Sequence, residues 1–175
     1  MKVLAFAASS SSTSINKQLV TYAAELLNNA DVEVIDINDY EMPLFSEDKE
    51  KELGQPDAAI RFFNKIGAAD ALLISFAEHN GSYTAAYKNL YDWASRIDPK
   101  VYQGKPMVIL STSPGPGGAS SVLALAKTSA PFGGGEIKAD LSLARFYDIF
   151  DTDHGRLKDA DAQAQLTAAL SRLAQ

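Results

Sequence analysis

Residues Val3-Leu4-Ala5-Phe6-Ala7-Ala8 form an unbroken apolar run near the start of the chain. Successive side chains of a strand point to opposite faces, so a strand that is apolar at every position needs cover on both sides. That is the situation of a parallel strand between two helical layers. Six hydroxyl side chains follow at once, Ser9, Ser10, Ser11, Ser12, Thr13 and Ser14. Behind them, Ile15, Leu19, Tyr22, Ala23, Leu26 and Leu27 fall on one helical face. Strand, polar turn and helix in this order place the hydroxyls at a helix N-terminus, where backbone N–H groups and the helix dipole favour an anion such as phosphate. A serine-rich loop ending in a plain Ser14 cap has the same pattern. No glycine fingerprint accompanies the run.

The alternation continues along the chain. Val32 to Ile37 reads as a second strand with Asp36 near its carboxyl end, and Asn38 to Pro56 as a long polar connection carrying Pro43, Gly54 and Pro56. A helix over Asp57 to Gly67, a strand over Ala71 to Phe76, the turn Glu78-His79-Asn80-Gly81-Ser82 and a helix over Tyr83 to Ser95 come next. Met107 to Leu110 is the fourth strand, Ser111 to Gly118 its loop, Ala119 to Thr128 a helix, and Ile137 to Leu143 an alternating fifth strand nearer the sheet edge. Asp151 to Gly155 reads as a turn, and Leu166, Ala169, Leu170 and Leu173 mark a closing helix. The count is five strands and five helices, with no internal repeat and no linker. It predicts one α/β domain over residues 1–175, a flavodoxin-like three-layer sandwich with a parallel sheet of order 2-1-3-4-5.

In that order the first and third strands are neighbours, and ligands bind outside the carboxyl ends of the strands at this switch point. The loops 8–14, 77–82 and 111–118 converge there. One is rich in hydroxyls, one carries Asn80-Gly81, and one is Ser113-Pro114-Gly115-Pro116-Gly117-Gly118, whose glycines let backbone approach a flat ring.

Composition removes several alternatives. The chain has no cysteine, so disulfides, thiolate metal sites and thiol redox chemistry are absent, and any redox role needs a borrowed cofactor. A formal net charge of -6 argues against a nucleic-acid or anionic membrane partner. No stretch approaches the roughly 20 apolar residues of a membrane span. Lys2 and the short apolar run mimic a secretory signal but are too short for its core, so a buried first strand and a cytoplasmic address are the expectation. Trp93, Tyr87, Leu90 and Tyr91 have the spacing of a packed helix face rather than of an aromatic platform. Lys88 and Asp92 read as a surface helix pair, Ser82 as a helix cap, and His154 with Asp151 and Asp153 as a solvated turn rather than a cation site. His79 lies in the crevice, either against a ligand or idle in its loop.

The segment Glu78 to Arg96, EHNGSYTAAYKNLYDWASR, resembles the P-E-Y-N-x-S and K-N-x-x-D-W signature of the NADPH-dependent FMN reductase family. Asn80, Ser82, Lys88, Asn89, Asp92 and Trp93 carry the match. Ser9, Ser14 and Asn16 resemble the family's G-S-x-R-x-x-S-x-N phosphate loop, with Ala8 at its glycine and Ser11 at its arginine. The loop Ser113 to Gly118, the segment Met42-Pro43-Leu44-Phe45 and the region Phe146-Tyr147-Asp148 are similar as well. The resemblance implies a flavodoxin-like fold, FMN as cofactor, NAD(P)H as co-substrate, a quinone, free flavin or similar small-molecule acceptor, and a homodimer or homotetramer with the flavin near its interface. It implies that Ser9, Ser11, Ser14, Ile15 and Asn16 hold the phosphate, that Glu78, His79, Asn80 and Gly81 border the isoalloxazine ring, and that Ser113, Gly117 and Gly118 close the other side. No side-chain nucleophile or general base is implied. With serine at the arginine position the anion falls to neutral donors and the helix dipole, and Lys17, one turn into the helix, is the cation expected to compensate. His79 and Ala77 stand at the family's tyrosine and proline. The rival readings are a flavodoxin-type electron carrier and a flavin-binding module without NAD(P)H turnover. Carriers flank the ring with aromatics in the second and third loops, and the third loop here has none.

Overall fold

The computed structural model describes residues 1–174. Five parallel strands, β1 (Lys2–Ala8), β2 (Asp31–Ile35), β3 (Ala71–Phe76), β4 (Pro106–Thr112) and β5 (Glu136–Leu143), form one sheet in the order β2-β1-β3-β4-β5. This is the 2-1-3-4-5 order read from the chain. The apolar run of β1 serves both faces. Val3, Ala5 and Ala7 enter one core with Leu19, Val20 and Leu166, whereas Leu4, Phe6 and Ala8 enter the other with Phe62, Tyr87 and Val122. The first core is covered by helices α1 (Ile15–Glu25) and α7 (Ala160–Leu170). The second is covered by α3 (Asp57–Ala68), α4 (Ala85–Ser95) and α5 (Ser120–Ser129). Edge strands β2 and β5 are only partly covered, with Val34 41% exposed.

The structure departs from the sequence reading between residues 36 and 56. β2 stops at Ile35, and Ile37–Tyr40 form a 3-10 helix whose first turn is capped by the Asp36 carboxylate, an acceptor for the Asn38 N–H at 2.9 Å. The connection is not a structureless loop, because it contains helix α2 (Glu47–Leu53). α2 is capped by Ser46, carries acids in its first turn and ends at Gly54, whose φ is +68°. None of its side chains is buried, so no apolar stripe announces it. Helix α6 (Phe146–Ile149) is a single turn, and the expected turn at 151–155 is the tip of a hairpin pairing Phe150–Asp151 with Arg156–Leu157. After α7 the chain tightens into a 3-10 turn at Ser171–Ala174.

Phe6 is fully buried and meets Phe62 edge-on, at 5.6 Å between ring centroids. Phe6→Ala is expected to cost about 3–5 kcal/mol in urea unfolding. Val34→Ala on the edge strand is expected to cost less than about 1 kcal/mol. Equal losses would contradict the two-sided cover of β1.

Candidate functional site

The carboxyl ends of β1, β3 and β4 are level, with Ala8 opposite Phe76 and Phe76 opposite Ser111. Neighbouring strands lie about 4.8 Å apart, so the three loops leave the sheet within roughly 10 Å of one another. Three side chains tie them together. Asn16, 3% exposed, donates from Nδ2 to the Thr112 carbonyl at 3.2 Å, while its Oδ1 accepts from the Thr112 N–H at 3.1 Å and from Ser75 Oγ at 2.8 Å. Thr84 Oγ1 donates to the Ala8 carbonyl at 3.0 Å. Glu78 Oε2 accepts from the Val122 N–H at 2.8 Å. Each bond joins a different pair of loops.

In the first loop Ser9 and Ser14 are buried, and Ser10 to Thr13 are exposed. Ser9 Oγ accepts from the Ser11 N–H at 3.3 Å, and the Ser11 carbonyl accepts from the Ser14 N–H at 3.2 Å, which curls the loop onto the helix start. Ser14 caps α1 by accepting from the Lys17 N–H at 3.2 Å. An accepting hydroxyl keeps its own proton, so Ser14 can still donate to a ligand. Among the described residues, the N–H groups of Ser12, Thr13, Ile15 and Asn16 have no acceptor. They form an anion nest of the kind found at helix N-termini. The Lys17 ammonium is bonded to the Asp36 carboxylate rather than to any group of this nest. That hydrogen bond holds the Asp36 carboxyl below the usual carboxylate range, and desolvation opposes it. The compensation expected from Lys17 is corrected accordingly. Asn16 turns its side chain inward, leaving its backbone N–H for a ligand.

The second loop is a tight hairpin in which Glu78–His79 pair with Ser82–Tyr83. Asn80 and Gly81 at its tip have φ of 54° and 75°, the left-handed pair that a two-residue turn of this twist requires. Ser82 is held in the hairpin, so the cap of α4 is Thr84 and not Ser82, and it accepts from the Tyr87 N–H at 3.3 Å. His79, Asn80 and Gly81 are exposed at the rim, whereas Glu78 is half-buried and aims its carboxylate at α5.

In the third loop the Gly118 carbonyl accepts from Ser111 Oγ at 2.7 Å and Ser142 Oγ at 2.8 Å. Gly118 has φ +60°, and a Cβ there would collide with Ser142 and lie 3.2 Å from the Ala144 nitrogen. Gly118 is therefore a buried corner. Gly115 and Gly117 have no atom within 4 Å of where a Cβ would stand, so their backbone is open to an incoming group. Ser113 Oγ donates to the Gly115 carbonyl at 3.3 Å. The Ser113 and Gly115 carbonyls accept from the N–H groups of Phe146 and Arg145 at 3.0 and 2.9 Å. The sequence reading missed Ser75, Thr84 and Thr112 as braces. Their signal is a polar residue inside or just beyond an apolar strand, which is expensive to bury without a partner.

On α4, Trp93, Tyr87 and Leu90 are core, at most 2% exposed, and Tyr91 is partly buried against it. Asn89 and Trp93 also explain why two separated segments of the sequence resemble one family. Asn89 Nδ2 donates to the Met42 and Pro43 carbonyls at 3.3 and 3.1 Å, Asn89 Oδ1 accepts from the Phe45 N–H at 2.8 Å, and Trp93 Nε1 donates to the Pro43 carbonyl at 2.7 Å. Lys88 and Asp92 are a surface pair at 2.6 Å.

An NAD(P)H-dependent FMN reductase of Pseudomonas aeruginosa is 40% identical over 116 residues, 66% of this chain and 61% of that protein. An NADPH:quinone oxidoreductase of Arabidopsis thaliana is 36% identical over 125 residues, 69% of this chain and 62% of that protein. The alignments thus span less than two thirds of these relatives' own length. Among solved structures, the flavoenzyme NAD(P)H:(acceptor) oxidoreductase FerB of Paracoccus denitrificans superposes with a TM-score of 0.82 at 24% identity, covering 98% of this chain and 94% of that one. A flavodoxin mutant from Pseudomonas aeruginosa superposes with a TM-score of 0.60 at 16% identity over 100% of both chains, which is a likeness of fold. The family model described as NADPH-dependent FMN reductase matches residues 1–147, and the chain belongs to that family.

Proposed function

We propose that the chain is an FMN-dependent oxidoreductase that takes hydride from NAD(P)H and passes electrons to a quinone, free flavin or similar small acceptor. The observation that carries this reading is the set of unbonded N–H groups at Ser12, Thr13, Ile15 and Asn16, braced level with an exposed Asn80-Gly81 tip and an open Gly115–Gly117 backbone. These residues fit a phosphate joined to a flat ring. Ser9, Ser11, Ser14, Ile15 and Asn16 would hold the phosphate, the last two through backbone N–H. His79, Asn80 and Gly81 would border one edge of the ring, with Ser113 and Gly117 along the other. Glu78 and Gly118 would support their loops from behind.

Bound FMN would supply the hydride-accepting and electron-passing chemistry. The chain's own part is to orient the ring, to keep the phosphate in a neutral donor nest and to leave one ring face open. No side chain at the rim has the geometry of an activated nucleophile. The names of the relatives, an FMN reductase and a quinone oxidoreductase, support the same class of acceptor. A homodimer or homotetramer and a cytoplasmic address belong to this reading. Among the described residues no helix is long and apolar enough to cross a membrane. Leu44, 79% exposed on the segment pinned by Asn89 and Trp93, is suited to an interface between copies. An electron carrier of the flavodoxin type shares the fold, but the absence of an aromatic side chain from Ser113 to Gly118 leaves the ring less shielded than a carrier needs.

The purified chain is expected to show flavin absorption bands, or to acquire them with added FMN, and to consume NAD(P)H when a quinone is supplied. Flavin without NAD(P)H oxidation would make it a carrier, and a chain that takes up no FMN would refute both readings. Ser14→Ala should weaken FMN by about tenfold in a fluorescence titration, because it removes a ligand donor and a helix cap together. Ser12→Ala should change affinity by less than about threefold, and equal losses would count against the assignment. Replacing both partners, Lys17→Met with Asp36→Asn, should leave FMN affinity within about twofold, since the Lys17–Asp36 pair is neutral as a unit. A tenfold loss would place the ammonium on the phosphate instead.

A further inference from the structure

Helix α5 starts without a cap of its own. Its N-cap residue, Ala119, sits in the left-handed region with φ 56° and offers no side-chain acceptor. The Ser120 N–H turns back to the Gly117 carbonyl at 3.0 Å, and the Val122 N–H is taken by the carboxylate of Glu78, 44 residues earlier. An acid is favoured at this place, because the helix dipole and the unpaired N–H groups of the first turn both attract negative charge. The acid comes from the base of the hairpin rather than from the glycine-rich loop. The hairpin alone is weakly defined, since an isolated two-stranded hairpin is marginally stable in water, whereas the glycine-rich loop is tied at its Gly115 and Gly117 carbonyls by the N–H groups of Arg145 and Ser120. The Glu78 bond joins the hairpin to the start of α5, and the Tyr83 and Ser129 hydroxyls, 2.6 Å apart, join it at the far end of the helix.

We propose that Glu78 is a positioning residue, which by capping α5 sets the separation between residues 79–81 and 113–117 and so preforms the slot for the flavin ring without touching it. This deepens the FMN reading above and rests on it. The role requires an acceptor oxygen at the right reach, and it does not require the charge to act on the ring. Gln therefore preserves it. Asp, one methylene shorter, and Ala do not.

The test compares wild type, Glu78→Gln, Glu78→Asp and Glu78→Ala in two measurements: hydrogen exchange at the Val122 amide without flavin, and FMN affinity by fluorescence titration. Wild type and Glu78→Gln are expected to protect Val122 and to bind FMN within about threefold of one another. Glu78→Asp and Glu78→Ala should lose protection at Val122 and bind FMN at least about tenfold more weakly, in line with the loss of the hydrogen bond that fixes the hairpin to α5. Should Glu78→Ala fail to fold, Glu78→Asp carries the comparison. Wild-type affinity in Glu78→Asp or Glu78→Ala would overturn the positioning role, as would a Glu78→Gln variant as weak as Glu78→Ala, since that result assigns the work to the charge. A wild-type chain that binds no FMN would instead refute the functional reading.

Discussion

The side chain of Asn16 is buried at the meeting point of α1, β3 and β4, and both ends of its amide are hydrogen-bonded. Toward Thr112 it behaves as a short piece of strand, giving an N–H to the carbonyl and taking the N–H in return. A buried amide stripped of such partners costs about 1–3 kcal/mol for each unsatisfied group, so the helix start and the end of β4 cannot easily move apart. The rest of the rim builds on this fixed point. Thr84 secures the second loop to the end of β1, and Glu78 secures it to α5. The outcome is a closed circuit of three loops held by side chains that face away from any ligand. A site held in this way needs little reordering when a ligand arrives, and binding then retains more of its gross interaction energy.

The same division of labour explains the family signature. Asn89 and Trp93 do not line the rim. They hold residues 42–45 against α4 through four hydrogen bonds and an edge-on contact between Trp93 and Phe45, with centroids 5.1 Å apart. The K-N-x-x-D-W half of the signature therefore encodes, in this chain, the placement of a connection. The segment it fixes presents Leu44 to solvent. Ordering an apolar residue at a surface is costly, and it becomes useful when that surface meets another.

At the proposed phosphate nest Lys17 is paired with Asp36, and serine stands where the family has arginine. On that proposal, recognition of an anion falls to backbone N–H groups, hydroxyls and the dipole of α1. Such donors act over short range and depend on geometry, which makes the brace at Asn16 more important than it would be beside a guanidinium.

How much of this was legible in the chain follows from what each signal depends on. The unbroken apolar run Val3 to Ala8, the helical periodicity behind it and the alternation that follows are local, and they pointed to five strands, to the order of a flavodoxin-like sheet and to the position of the three loops. Helix α2 escaped because a short charged helix on the surface leaves no apolar stripe. Ser82 was read as a cap because capping is visible in sequence only to within a residue or two, and the two-residue hairpin moved the helix start to Ala85. The amino-acid sequence by itself determined the fold class, the family and the loops that can meet a ligand. Only the tertiary structure decided which of their side chains stay exposed at the rim and which face one another. Asn16, Glu78 and Gly118 turned inward because their partners, Thr112, Val122 and Ser142, lie between 24 and 96 residues away in the chain and become neighbours only when the sheet forms. No local pattern carries information about contacts of that range.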